Sequence, residues 1–125
     1  MEILGKNISN FKKSKSPAFT DILAYDILLQ MLNCIENLHS RGYIHRDIKP
    51  SNFVICLQEK NVYMVDFGLA KLHLNKNGEP YPERKSTDFR GTLAFASMNA
   101  HNRIVINHIK CRIYREETIY GHFFS

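Results

Sequence analysis

Only three cysteines occur, Cys34, Cys56 and Cys111. An odd number without paired metal-ligand spacing argues against a disulfide framework and against a zinc site, and it fits a reducing compartment. Long apolar runs are missing as well. The most apolar stretch, Ile22 to Leu38, is broken by Asp26, Gln30, Asn33 and Glu36, so it does not read as a membrane span. The first residues lack the basic-then-apolar pattern of a signal peptide. The Asn7-Ile8-Ser9 sequon is therefore expected to be idle. No internal repeat or low-complexity tract stands out. These absences predict a soluble protein of the cytoplasm or nucleus, without a membrane partner.

Strong charge of one sign is also lacking. The net charge of +5 is mildly basic and hints at an anionic partner. The basic residues are scattered, however, over Lys6 to Lys15, Arg84 to Arg90 and Arg103 to Arg115. Aromatic residues do not interleave with them as base stacking would need, so nucleic acid is not an expected partner. With 125 residues and 44% hydrophobic content, the chain has room for one compact domain.

The clearest element is a helix. Thr20 is a candidate N-cap, and Asp21 follows where the helix dipole favours an acid. Apolar residues then recur at Ile22, Leu23, Ile27, Leu28, Met31, Leu32, Ile35 and Leu38, the spacing of a helix buried along one wide face. Gly42 supplies the stop. A shorter helix is expected after Asn7. Phe53 to Leu57 and Val62 to Val65 flank the polar Gln58-Glu59-Lys60-Asn61 and read as a β-hairpin. From Leu69 to Phe95 periodicity disappears, and Asn77-Gly78, Pro80 and Pro82 mark a long irregular loop.

Between the long helix and the hairpin stands His45-Arg46-Asp47-Ile48-Lys49-Pro50-Ser51-Asn52, and the hairpin leads into Asp66-Phe67-Gly68. Asp-Phe-Gly alone would be a weak signal. Together, in this order and on these elements, the two segments resemble the catalytic-loop and metal-binding parts of the protein-kinase signature. Phosphoryl transfer has a loose transition state, so such a site mainly positions groups and neutralises charge. One carboxylate, Asp47, would accept or orient the proton of the incoming hydroxyl. A cation, Lys49, would balance charge on the phosphoryl group. Asn52 and Asp66 would offer oxygens to Mg2+, a hard cation. Lys49 followed by Pro50-Ser51 resembles the serine/threonine branch.

Leu4-Gly5-Lys6-Asn7-Ile8-Ser9, the loop from His45 to Phe53, Asp66 to Lys71, Phe89-Arg90-Gly91-Thr92 and the Ser-x-Asn-x-His element from Ser97 to His101 are similar to the casein kinase 1 superfamily. Within it they look most like the tau-tubulin kinase branch. The resemblance implies an α+β fold: a large-lobe fragment, mainly helical, with a small hairpin and a long activation loop. It implies ATP and Mg2+ as cofactors. Asp47 and Lys49 become the catalytic pair, with Lys49 and Asn52 at the ATP phosphates. Asn52 and Asp66 become the metal ligands, and Thr92 the support of the catalytic loop. Arg84, Lys85 and Arg90 would then lie where a protein substrate docks, and favour acidic or already phosphorylated peptides.

The match runs to about Arg103. Residues 1–103 are expected to be a partial kinase domain, from hinge through activation segment, and 104–125 a divergent tail. No Gly-rich loop, lysine-bearing strand or partner glutamate helix is present in the sequence, and Ala94 and Phe95 replace an arginine and a tyrosine of the family. The long helix also has a wider apolar face than a short hairpin would cover. The expectation is thus a serine/threonine kinase domain that is inactive as this chain alone; the alternative is a non-catalytic kinase remnant serving as an interaction or scaffold protein.

Overall fold

Asn7 opens the first helix, α1 (Ile8–Lys13), its side-chain oxygen accepting the Asn10 N–H at 2.8 Å. In the computed structural model, which describes residues 5–14, 20–56, 58–82 and 89–96, this is the short helix expected after Asn7. The long helix, α2 (Asp21–Ser40), starts where Thr20 Oγ1 accepts the Leu23 N–H at 3.3 Å. It ends at Gly42, whose φ of +82° lets the chain turn back while its N–H reaches the His39 carbonyl at 2.9 Å. Among the described residues no helix is long and apolar enough to cross a membrane.

The expected hairpin is present as β2 (Phe53–Cys56) and β3 (Asn61–Met64), antiparallel, with Phe53 opposite Met64 and Ile55 opposite Val62. Its free edges are covered. The Ile55 N–H donates to the Lys6 carbonyl at 3.2 Å on one side. On the other, α2 side chains take both backbone groups of Val62: Gln30 Oε1 accepts its N–H at 2.8 Å, and Cys34 Sγ approaches its carbonyl at 3.4 Å. Gln30 also donates to the Lys60 carbonyl and to Asp26. A polar residue that interrupts the apolar pattern thus joins helix to hairpin.

The core lies between α1, α2 and the hairpin, built from Ile8, Phe11, Ala24, Ile27, Leu28, Met31, Ile35, Ile48, Phe53, Ile55 and Val62. The inner face of α2 is covered by α1 and the hairpin together, while part of its wide apolar surface stays open, as expected for a face wider than a short hairpin. Ile22, expected on that face, is 83% exposed. At 3.6 residues per turn it aligns with Tyr25 and Leu29 rather than with Ile27 and Met31.

The segment after Leu69 is more ordered than the lost periodicity predicts. β4 (Lys71–Leu72) pairs antiparallel with β1 (Tyr43–Ile44), and the His73 N–H donates to the Gly42 carbonyl at 2.8 Å. A turn follows in which Asn75 Oδ1 accepts the N–H groups of Asn77 and Glu79. Strands of two residues show no period in a sequence, which is why neither was expected. The result is a helical and antiparallel α+β arrangement. Ser97 to His101, the 104–125 tail and Cys111 lie outside the described residues.

Candidate active site

The loop from His45 to Asn52 is tied down mostly by buried groups. His45 is 1% exposed. Its Nδ1 accepts the Asp47 N–H at 3.4 Å, which leaves the proton on Nε2 to donate to the Val65 carbonyl at 3.2 Å. Its ring packs against Phe67 with centroids 5.4 Å apart. Arg46 has a φ of 69°, a left-handed conformation uncommon for a side chain of this size, and its Nε donates to the Leu69 carbonyl. The kink turns Asp47 toward the activation segment. Pro50–Asn52 then form one 3-10 turn, with Pro at the position where its missing N–H costs least. Asn52 closes the loop by donating from Nδ2 to the Asp47 carbonyl at 2.9 Å and to Asp47 Oδ2 at 3.3 Å.

Asp47 lies at the centre of the network. Lys49 Nζ stands 2.8 Å from Oδ2, and Thr92 Oγ1 donates to Oδ1 at 2.8 Å. Lys49 also donates to Thr92 Oγ1 at 2.9 Å, so carboxylate, ammonium and hydroxyl form a closed triangle. Burial alone would push the Asp47 carboxyl up. The hydrogen bonds from Lys49, Thr92 and Asn52, with the Lys49 charge, outweigh it and hold the group below the ordinary aspartate range. Thr92 reaches Asp47 because Gly91 precedes it. Gly91 has a φ of +109°, and a Cβ there would lie 2.6 Å from the Arg46 carbonyl oxygen, so no other residue fits without displacing one strand of the site.

Asp66 is held by much less. Its side chain caps the turn Phe67–Leu69 by accepting the Gly68 N–H at 3.3 Å, and its backbone is left-handed at φ 61°. Asp66 is exposed, and its second oxygen has no partner among the described residues. The link to the catalytic loop is one residue earlier, where the Val65 N–H donates to the Asn52 carbonyl at 2.9 Å.

A family model described as "Protein kinase domain" matches residues 1–101. A Dictyostelium discoideum protein named a probable serine/threonine-protein kinase is 41% identical over 105 residues, covering 81% of this chain. The chain belongs to the protein kinase domain family. It spans about a fifth of the length of that relative, 21%.

Against this kinase background, the structure brings Asp47, Lys49, Asn52 and Thr92 into direct contact and puts Asp66 one residue from the same hydrogen-bonded ladder. Asn52 and Asp66 suit a magnesium ion that arrives with phosphates. The Asn52 amide nitrogen faces Asp47, which leaves its carbonyl oxygen as donor, and Asp66 has an oxygen to offer. Among the described residues no group of three or more His, Cys, Asp or Glu could hold a metal by itself. A cation here would thus complete its shell with phosphate and water oxygens, as magnesium commonly does.

Arg84 and Lys85 lie outside the described residues. Arg90 is exposed and lines a shallow pocket with Arg46, Asp47, Ile48, Thr92, Phe95 and Ala96. Burial, and then the nearby Arg90 charge, draw the Arg46 guanidinium below its ordinary range. Three contributors lie within the recognised motifs, yet the sequence alone assigns them no role: His45, Arg46 and Gly91. The first two stand inside the recognised loop, and a glycine directly before the supporting threonine was the available sign of a close backbone approach.

Proposed function

We propose that this kinase chain carries a phosphoryl-transfer site acting on protein serine and threonine hydroxyls. The observation that supports it best is the closed Asp47–Lys49–Thr92 triangle, with Asn52 fastening the same carboxylate from behind. Bound magnesium-ATP supplies the phosphoryl group and part of the charge neutralisation. Asp47, ionised at neutral pH, orients the substrate hydroxyl and receives its proton as the oxygen turns nucleophilic. Lys49, 2.8 Å from Asp47 Oδ2, balances negative charge on the transferred group. Asn52 and Asp66 hold the metal ions.

The tau-tubulin kinase branch of the casein kinase 1 superfamily is the narrower reading, supported by the Ser-x-Asn-x-His element from Ser97 to His101. For substrate, the reading is an acidic or already phosphorylated peptide, engaged by Arg84, Lys85 and Arg90. The cationic Arg46 and Arg90 beside Asp47 favour it, since guanidinium forks pair with carboxylate or phosphate.

The test is a chimera in which residues 1–101 replace the corresponding segment of the Dictyostelium relative. It should phosphorylate serine or threonine peptides, and Asp47→Asn should slow it by about 10²–10⁴-fold. Equal turnover in both forms would remove Asp47 from the mechanism.

A further inference from the structure

α2 has a second apolar stripe, turned away from the core. Ile22 is 83% exposed and Leu29 61%, with Tyr25 at 49% between them. Spacings of three and four put them in one row, on the side of the helix opposite Ala24, Ile27 and Met31. The helix carries Asp21, Asp26 and Glu36 and no lysine or arginine, and both aspartates are exposed beside the stripe. An apolar row edged by carboxylates suits a segment that is itself apolar and basic.

Residues 103–115 of this chain have that chemistry. Arg103, Lys110, Arg112 and Arg115 alternate with four isoleucines and a valine, and the segment has no carboxylate. It lies beyond residues 1–101, which match the family. Lys110 is fourteen residues past Ala96, and an extended tether of that length spans about 48 Å. A domain of this size is roughly 35 Å across, so most of its surface is within reach of a tether running around it. A partner on so short a tether also meets its site at about millimolar effective concentration.

We propose that residues 103–115 dock on the Ile22–Tyr25–Leu29 stripe of α2 in the same chain, with their isoleucines on the apolar row and their cations facing Asp21 and Asp26. The segment thereby covers the one large apolar strip that α1 and the hairpin leave open on this helix.

Carbodiimide coupling tests this, because it joins a carboxylate to a lysine only in contact, and Lys110 is the one amine in the segment. The full chain is treated at low salt as a mixture of isotope-labelled and unlabelled protein, then digested and read by mass spectrometry. The expected result is Lys110 joined to Asp21 or Asp26 in peptides of uniform isotope content. In Ile22→Ser with Leu29→Ser the carboxylates remain and only exposed sites change, and the yield should fall about tenfold. Lys110 joined elsewhere or nowhere, mixed-isotope links alone, or a yield unchanged in the double variant would overturn the proposal; mixed links would assign the stripe to a second copy.

Discussion

The loop from His45 to Asn52 and the turn from Asp66 to Leu69 are linked by the Val65 N–H and the Asn52 carbonyl, and each carries an aspartate. Their supports differ. Asp47 has both oxygens engaged, and its neighbours His45, Ile48, Pro50 and Asn52 are buried. Asp66 has one internal hydrogen bond, and Asp66, Phe67 and Gly68 are all exposed. On the proposed function, Asp47 would have to place a proton within a few tenths of an ångström and is accordingly fixed by the protein itself. Asp66 would gain its remaining order from a bound metal and its phosphates.

The sharpest way to break this contrast is to neutralise each aspartate in the chimera. Asp47→Asn and Asp66→Asn should both cut turnover by orders of magnitude, about 10²-fold or more. Thermal unfolding should separate them. Asp66→Asn leaves the melting temperature near the parent's, whereas Asp47→Asn lowers it because Lys49 loses its ion pair inside a packed network. Equal melting shifts would mean that the two turns are supported alike.

Gly91 comes next in size. Gly91→Ala adds a Cβ 2.6 Å from the Arg46 carbonyl at a φ of +109°, so the segment must withdraw and take Thr92 with it. A loss of about 1–3 kcal/mol is expected in urea unfolding, from left-handed strain and displaced backbone. Asn52→Ala should cost about 1–3 kcal/mol as well, since it strips the Asp47 carbonyl of a buried donor. If Gly91→Ala unfolds at the parental midpoint, the close approach to Arg46 is not a constraint on the site.

The same contrast decides what the sequence could reveal. The polar residues at 45–52 and Asp66 follow the protein-kinase signature, so they stand out even where periodicity fails. The N-caps Asn7 and Thr20 and the stop at Gly42 are equally legible, because each reflects one local hydrogen-bond or φ requirement. The β1–β4 pair is not: two residues per strand carry no period, and their register depends on Gly42 and His73 meeting in space. Nor is the left-handed backbone at Arg46 and Asp66, since neither is glycine: Arg46 is tied to the distant Leu69 carbonyl, and Asp66 to the Gly68 N–H two residues on. Ile22 shows a third limit. Apolar identity places a residue on a helix, but which of two apolar stripes faces inward depends on what packs against it.

The smallest effect is also the most direct probe of the Asp47 network. Its carboxyl is held below the ordinary aspartate range by Lys49, Thr92 and Asn52 against the opposing effect of burial. A depressed folded-state value means that ionised Asp47 stabilises the fold above its unfolded value, and that this contribution is lost as pH falls through the folded value. The acid limb of stability linked to Asp47 should therefore lie below the range of a free aspartate. Thr92→Val removes one donor and leaves the burial in place, so the Asp47 carboxyl rises and the limb moves to higher pH. Thr92→Ser keeps the hydroxyl and should restore the parental limb. Carboxyl carbon NMR titration of Asp47 reads this directly. An Asp47 value that stays put in Thr92→Val would mean that Lys49 and Asn52 alone hold the carboxylate, and that Thr92 serves only to bring the activation segment close.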